Sequence, residues 1–286
     1  MINKLSISQN FLSNRQLVSK LIKVANLAKD NLIIDIGVGK GIISQELLNN
    51  GYFVRGYELD ENLYQTLTQI FKNSENIEIL NKDFLIENLQ SLPEFSVFSN
   101  IPYNLTTKIS QKLLIENPYA NKVCLIVQEE SAKRLQGISE GLLISILIFN
   151  NYESKIIYKF KKNDFTPKPR VNSVLIEFTK RKQSLISQNN FSNFLDFICF
   201  IVMQQKPTLN ERLSQLLSPS QKTSLFNLLK IDGNSSLYQI DKLKYFEMYE
   251  SVMKNFPNQI KIIKGSYQKY QEINNKNQKV FRTRLR

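Results

Sequence analysis

The residues with the most to do chemically lie between Phe95 and Thr107, FSVFSNIPYNLTT. Phe95, Val97 and Phe98 have the apolar, aromatic character of a buried strand, and the polar pair Ser99-Asn100 ends it. Pro102 fixes its own φ and keeps Ile101 extended, so the chain leaves the strand stiffly with Asn100 and Tyr103 beside it. An amide acceptor next to a flat π face suits a planar, amino-bearing ring drawn into a pocket at the strand's carboxyl end. The plain alternative is an ordinary strand-to-helix loop with proline as punctuation.

Other stretches bear on that choice. Leu32 to Ile36 is a continuous apolar run, expected as a strand buried on both faces, and Gly37, Gly39 and Gly41 follow as a turn into a helix. Their G-x-G-x-G spacing is neither the dinucleotide pattern nor the phosphate loop, which points to a nucleoside ligand without a pyrophosphate. A tight turn in an unrelated α/β unit stays open. A second strand beginning at Phe53 ends in Glu58, near the interval at which an acid reaches a ribose hydroxyl pair in doubly wound sheets. After a third strand, Asp83 could accept from an adenine amino group while Phe84 packs on the ring; a helix N-cap followed by a core Phe fits equally well. Phe165, in the Pro-rich loop from Asn163 to Asn172, offers either a second aromatic face or a buried hairpin residue.

These residues need a parallel sheet whose strands end on one edge. Predicted strands at 77–80 and 123–127, two closing strands at 155–160 and 173–178, and intervening helices, one over 106–115, supply it. Around Lys180 to Ser192 the composition turns polar, which sets the expected division: residues 1–180 as an α/β domain, 181–255 as a small helical domain, and 256–286 as a basic tail. Ser8 to Leu12, SQNFL, reads as a helix lead-in.

The chain has 286 residues and a formal net charge of +13, which favours a polyanionic partner. From Lys254 to Arg286 there are nine Lys or Arg against one acid, Glu272. The tail is therefore either solvated or an arm that tracks phosphates. No histidine is present, which removes every Ser-His and Cys-His nucleophile pair and argues against a zinc site. Cys124 and Cys199, each in an apolar run, fit a reducing setting. No long apolar segment stands out, so neither a signal peptide nor a membrane span is expected, and the predicted location is cytoplasmic.

SQNFL, DIGVGKG, YELD, NKDF, SNIPYNLTT and FTPKPRVNS resemble, in order and spacing, the ribosomal RNA adenine N6-methyltransferases, the family of the Erm and KsgA enzymes. The resemblance implies a Rossmann-like class I methyltransferase sheet with a small C-terminal helical domain, working as a monomer. It implies S-adenosylmethionine as cofactor, contacted by Asn10, Leu12, Gly37, Glu58, Leu59, Asp83, Phe84 and Asn100. The target amine would meet Asn100 and the Ile101 carbonyl on the Pro102 loop, with Tyr103 and Phe165 stacking on the base. Gly39-Lys40-Gly41, Asn100 to Tyr103 and FTPKPRVNS look like the Erm branch, whereas Gln128-Glu129-Glu130 and Gln204 to Leu213 look like the KsgA branch. The expected substrate is 23S ribosomal RNA, with antibiotic resistance as the consequence; 16S RNA is the alternative. A non-catalytic RNA-binding relative is a further one, against which the intact Gly37, Glu58 and Asn100 argue. A DNA adenine methyltransferase is disfavoured because Asn-Ile-Pro-Tyr stands in place of its usual Asp- or Asn-Pro-Pro-Tyr loop.

Overall fold

The computed structural model describes residues 10–29, 31–138 and 141–273. The chain divides into two compact units, one within Met1–Ser139 and Asn151–Lys182, the other within Glu140–Asn150 and Gln183–Arg286.

The first unit is built on a seven-stranded sheet. Its strands are β2 (Leu32–Ile36), β3 (Phe53–Tyr57), β4 (Ile77–Leu80), β5 (Phe95–Asn100), β6 (Lys122–Gln128), β7 (Tyr152–Lys159) and β9 (Ser173–Lys180), in the order β4-β3-β2-β5-β6-β9-β7. The first five run parallel, and β9 is antiparallel to both β6 and β7. The central strands β5 and β6 are buried along nearly their whole length; β6 reads accordingly as an apolar run from Val123 to Val127, β5 also buries Ser96 and Ser99, and the edge strand β7 alternates. The order reverses between β2 and β5, and the crevice outside such a switch point is where doubly wound sheets bind ligands.

One face of the sheet carries α1 (Arg15–Ala25) and α2 (Ile42–Asn49). Val18, Leu21, Ile22 and Ala25 recur at helical spacing and are all buried, each large side chain contributing roughly 1.5–3 kcal/mol. Asn14 caps the start of α1 by accepting from Leu17 N, and Asn26 ends it in the left-handed region at φ 46°. Helices α3 (Glu61–Ile70), α4 (Thr106–Gln111) and α5 (Glu129–Gln136) complete the unit's helices. The helix expected over 106–115 is α only to Gln111; Lys112–Glu116 form a π turn. SQNFL is no mere lead-in: Ser8 and Gln9 lie outside the described residues, but Phe11–Leu12 form a short strand, β1, antiparallel to β8 (Phe165–Thr166).

The second unit contains α6 (Leu142–Asn151) as far as Asn150, together with α7 (Gln188–Met203), α8 (Leu209–Arg212), α9 (Pro219–Leu229), α10 (Lys242–Asn255) and α11 (Ile260–Ile263). Phe194 of α7 stacks on Phe246 of α10 at 4.7 Å, and Phe149 of α6 lies 6.0 Å from the same ring. Helix α6 therefore belongs to this core, although the composition places it inside 1–180. The segment read as a free basic tail is folded as far as Ile273. Ile263 is fully buried, and Asp196 caps a helix over 266–273 by accepting from Gly265 N and Tyr267 N at 3.0 and 2.9 Å. The buried Ile263 and a helix cap outweigh the local charge. The rest of the tail, 274–286 with Phe281, lies outside the described residues. Among the described residues no helix is long and apolar enough to cross a membrane.

Candidate active site

The loops that carry Gly37, Glu58, Asp83 and Asn100 to Tyr103 each leave the carboxyl edge of a parallel strand. Asn10, Phe11, Leu12, Gly37, Val38, Lys40, Ile42, Ile43, Asn100, Ile101, Pro102 and Tyr103 line one pocket at the switch point. Asn10, Leu12, Gly37 and the whole run Asn100 to Tyr103 thus come together. Glu58, Leu59, Asp83 and Phe84 stand on the next two loops, after β3 and β4. Phe165 is placed differently: it is 2% exposed, pairs with Leu12 in the β1–β8 ladder, and its ring lies 5.2 Å from Phe160. It forms part of the core behind the pocket and presents no free face.

The loops are fastened to one another by side chains. Gly37, Gly39 and Gly41 all have positive φ, and a Cβ on Gly39 would stand 2.6 Å from the Phe11 ring, so only glycine lets β1 cover this turn. Glu58, 3% exposed, accepts from Gly39 N through Oε2 at 2.8 Å and from Asp60 N through Oε1 at 2.9 Å, tying the β3 loop to the glycine turn. Asn81 Nδ2 donates to Glu58 O at 3.0 Å, fastening the β4 loop to it in turn. Asp83 Oδ1 accepts from Leu85 N at 2.8 Å and caps a 3-10 turn over Phe84–Ile86, and the buried Phe84 ring meets the edge of Tyr57. Leu59 and Ile86 are large apolar side chains left 55% and 81% exposed on these two loops.

One residue lining the pocket carries a buried polar atom without a partner. Asn100 Nδ2 donates to Asn10 O at 2.8 Å. A carbonyl can only accept, so this bond fixes which end of the amide is which and leaves Oδ1 as an acceptor. That Oδ1 is buried and has no hydrogen-bond partner. Asp35, at the end of β2, accepts from Ser44 Oγ through Oδ2 at 2.8 Å, but its Oδ1 is also orphaned. Burial pushes its carboxyl up to about 7, against the opposing pull of Ser44. Tyr103 is held from the far side: its hydroxyl lies 2.7 Å from Ser173 Oγ at the start of β9, and burial raises its pKa.

The sequence reading missed the fasteners. Asn81, Ser99 and Ser173 stand inside the quoted motifs without a role; Ser99 Oγ donates to Ile36 O at 2.7 Å and accepts from Ile36 N at 3.0 Å, locking β5 to β2 beside the pocket. Ile86 carried no signal beyond its nearness to Asp83. Among the described residues no group of three His, Cys, Asp or Glu side chains is placed to hold a metal ion.

The arrangement fits a nucleoside-bearing cofactor and a flat amine. Each Glu58 oxygen keeps a lone pair for a ribose hydroxyl. Asn100 Oδ1 waits for an N–H donor at the pocket where Tyr103 supplies a ring.

Comparison with known proteins agrees with this geometry. A family model described as ribosomal RNA adenine dimethylase matches residues 2–254. The chain is 30% identical to the ribosomal RNA small subunit methyltransferase A of Mesomycoplasma hyopneumoniae strain 232, across 89% of this chain and 98% of that protein. It is also 30% identical to an rRNA adenine N-6-methyltransferase of Limosilactobacillus reuteri, across 87% and 98%. The crystal structure of the 23S rRNA methyltransferase ErmE superposes with a TM-score of 0.73 at 21% identity, over 84% of this chain and 98% of that one, a likeness of fold.

Proposed function

The chain belongs to the ribosomal RNA adenine dimethylase family and is an rRNA adenine methyltransferase; within that activity we propose that it methylates N6 of an adenosine in small-subunit RNA with S-adenosylmethionine as donor. The observation that carries this reading is the buried, unpartnered Oδ1 of Asn100 in a pocket with Gly37 and Tyr103. A polar atom left unpaired in a folded core costs about 1–3 kcal/mol, and such a cost is understandable where a substrate supplies the missing donor.

The cofactor's adenosyl part would rest on Glu58 through its ribose and on Asp83 through its base, with Leu59 and Ile86 taking the ring out of water. When bound, it supplies an electrophilic methyl group on a sulfonium. Asn100 Oδ1 and the Ile101 carbonyl accept the two N6 hydrogens of the target. That draws the nitrogen lone pair out of conjugation with the ring and aims it along the line of displacement, a matter of positioning rather than acid–base catalysis. Tyr103 stacks on the flipped base and returns roughly 1–3 kcal/mol of the unstacking energy. Phe165 supports the wall behind Leu12 instead of stacking. The second unit, with its basic C-terminal residues, binds RNA backbone.

The choice of RNA follows the relatives: the Mesomycoplasma protein is named for the small subunit. Large-subunit RNA is the second reading, favoured by the Erm-like Gly39-Lys40-Gly41, Asn100 to Tyr103 and FTPKPRVNS stretches. Labelled cofactor offered with protein-free large-subunit RNA, small-subunit RNA and intact 30S particles, followed by mapping of the methylated base, decides between them. Label in large-subunit RNA alone overturns the small-subunit reading, and label in no adenosine overturns both.

A further inference from the structure

Lys112 has no place in the chemistry above, yet it is one of the few buried lysines of the described chain, at 8% exposure. It is the first residue of the π turn that ends the helix following Asn100 to Tyr103. Lys112, Leu113 and Leu114 are buried in succession. Among the described residues the ammonium makes no ion pair. Its Nζ instead donates to Leu85 O at 3.0 Å and to Glu87 O at 2.6 Å, and lies 5.7 Å from the Phe84 ring centroid. Burying a cation this far is unfavourable unless its donors find partners, and here two of the three are taken by one short loop. That loop is the 3-10 turn after Asp83, which Asp83 Oδ1 caps at its start. Lys112 therefore closes the end of the turn that Asp83 opens.

We propose that Lys112 is a positioning residue for the cofactor's base: by holding the carbonyls of Leu85 and Glu87 it fixes the Asp83 carboxylate to accept from an adenine amino group. The inference rests on the assignment of Asp83 made above. It also links base recognition to the segment that follows the Asn100 loop.

The test compares affinities for S-adenosylhomocysteine and S-inosylhomocysteine, which differ in the amino group that Asp83 would read, measured by calorimetry without RNA. Wild type binds the adenosyl compound more tightly. K112M and K112Q each remove the charge and at least one donor; they are expected to weaken the adenosyl compound about tenfold and the inosyl compound less than twofold. K112R, whose fork also reaches two carbonyls, is expected to restore the preference. Turnover at saturating cofactor and RNA should stay within about threefold, the loss appearing in KM. Equal weakening of both compounds, or of neither, overturns the proposal. So does failure of both neutral variants to fold, which would make the lysine a core support. D83A is the control. If it leaves the adenosyl preference intact, the Asp83 assignment itself falls. If it abolishes the preference while K112M does not, only the role of Lys112 falls.

Discussion

Asn100→Ala separates function from stability in an unusual direction. The amide makes one hydrogen bond, Nδ2 to Asn10 O at 2.8 Å, and leaves Oδ1 buried without a partner. Truncation loses the first, worth about 0.5–1.5 kcal/mol, and relieves the second, which costs about 1–3 kcal/mol. The net expectation is stabilisation of the free protein by about 1 kcal/mol, or roughly 2–4 °C in Tm for a unit of this size. Activity moves the other way. Removing one preorganised polar group from a developing transition state typically costs 10²–10³ in kcat, and the same order is expected here. Thermal unfolding without ligand and single-turnover methyl transfer to RNA, run on one preparation, test both halves. A Tm lowered by 4 °C or more with turnover within tenfold of wild type would falsify the argument, because Asn100 would then be an ordinary structural amide.

Glu58→Ala should weaken cofactor binding by one to two orders of magnitude and also lower Tm, since Gly39 N and Asp60 N lose their acceptor; unchanged calorimetric affinity removes Glu58 from the site. Tyr103→Phe loses the Ser173 bond that holds the ring, so turnover should fall several-fold, and Tyr103→Ala much further, with cofactor affinity little altered in both; identical losses would assign the effect to the hydroxyl alone. Asp35 holds its proton up to about pH 7 when folded but only to its ordinary value of 3.8 when unfolded, so from about pH 4 to pH 7 the folded state binds more protons and stability falls as pH rises. That slope, on the order of 4 kcal/mol in all, should be missing from Asp35→Asn, and parallel Tm-versus-pH curves for the two proteins would refute it. Truncation after Ile273 removes Lys276, Lys279, Arg282, Arg284 and Arg286 without touching the buried Ile263; if these residues track phosphates, the salt slope of RNA binding should flatten by about 0.7–0.9 for each phosphate no longer neutralised, and an unchanged slope would mark them as bystanders.

Local sequence foretells the sheet because its central strands are apolar throughout and each is punctuated by glycine, proline or a short acid-bearing turn; those signals lie within a few residues of what they specify. Gly37 and the run Asn100 to Tyr103 were legible for the same reason, whereas Asn10 and Leu12, locally a helix lead-in, entered only through the family resemblance. Phe165 was not, since whether an aromatic faces a ligand or the core depends on partners such as Phe160 and Leu12 that spacing does not reveal. Lys112, Asn81 and Ser173 escaped because a hydrogen bond to a distant loop leaves no periodic trace. The basic tail misled through composition: net charge drew attention from Ile263, which is buried, and from the cap that Asp196 supplies from about 70 residues away.

The β1–β8 ladder sets when the pocket can exist. Phe11 and Leu12 are held by Thr166 and Phe165, and Ser13 N donates to Asp164 O at 3.1 Å, so the wall containing Asn10 is closed by residues about 150 positions further along. Pairings of such separation form late, since the loop they close must first lose its entropy. During synthesis the glycine turn, Glu58 and Asn100 are all made well before β8, yet Phe11 and Leu12 have no strand partner until residue 166 has emerged. A growing chain therefore carries the chemistry of the site well before it has the two late partners of its walls, β8 for Phe11 and Leu12 and Ser173 for the Tyr103 hydroxyl.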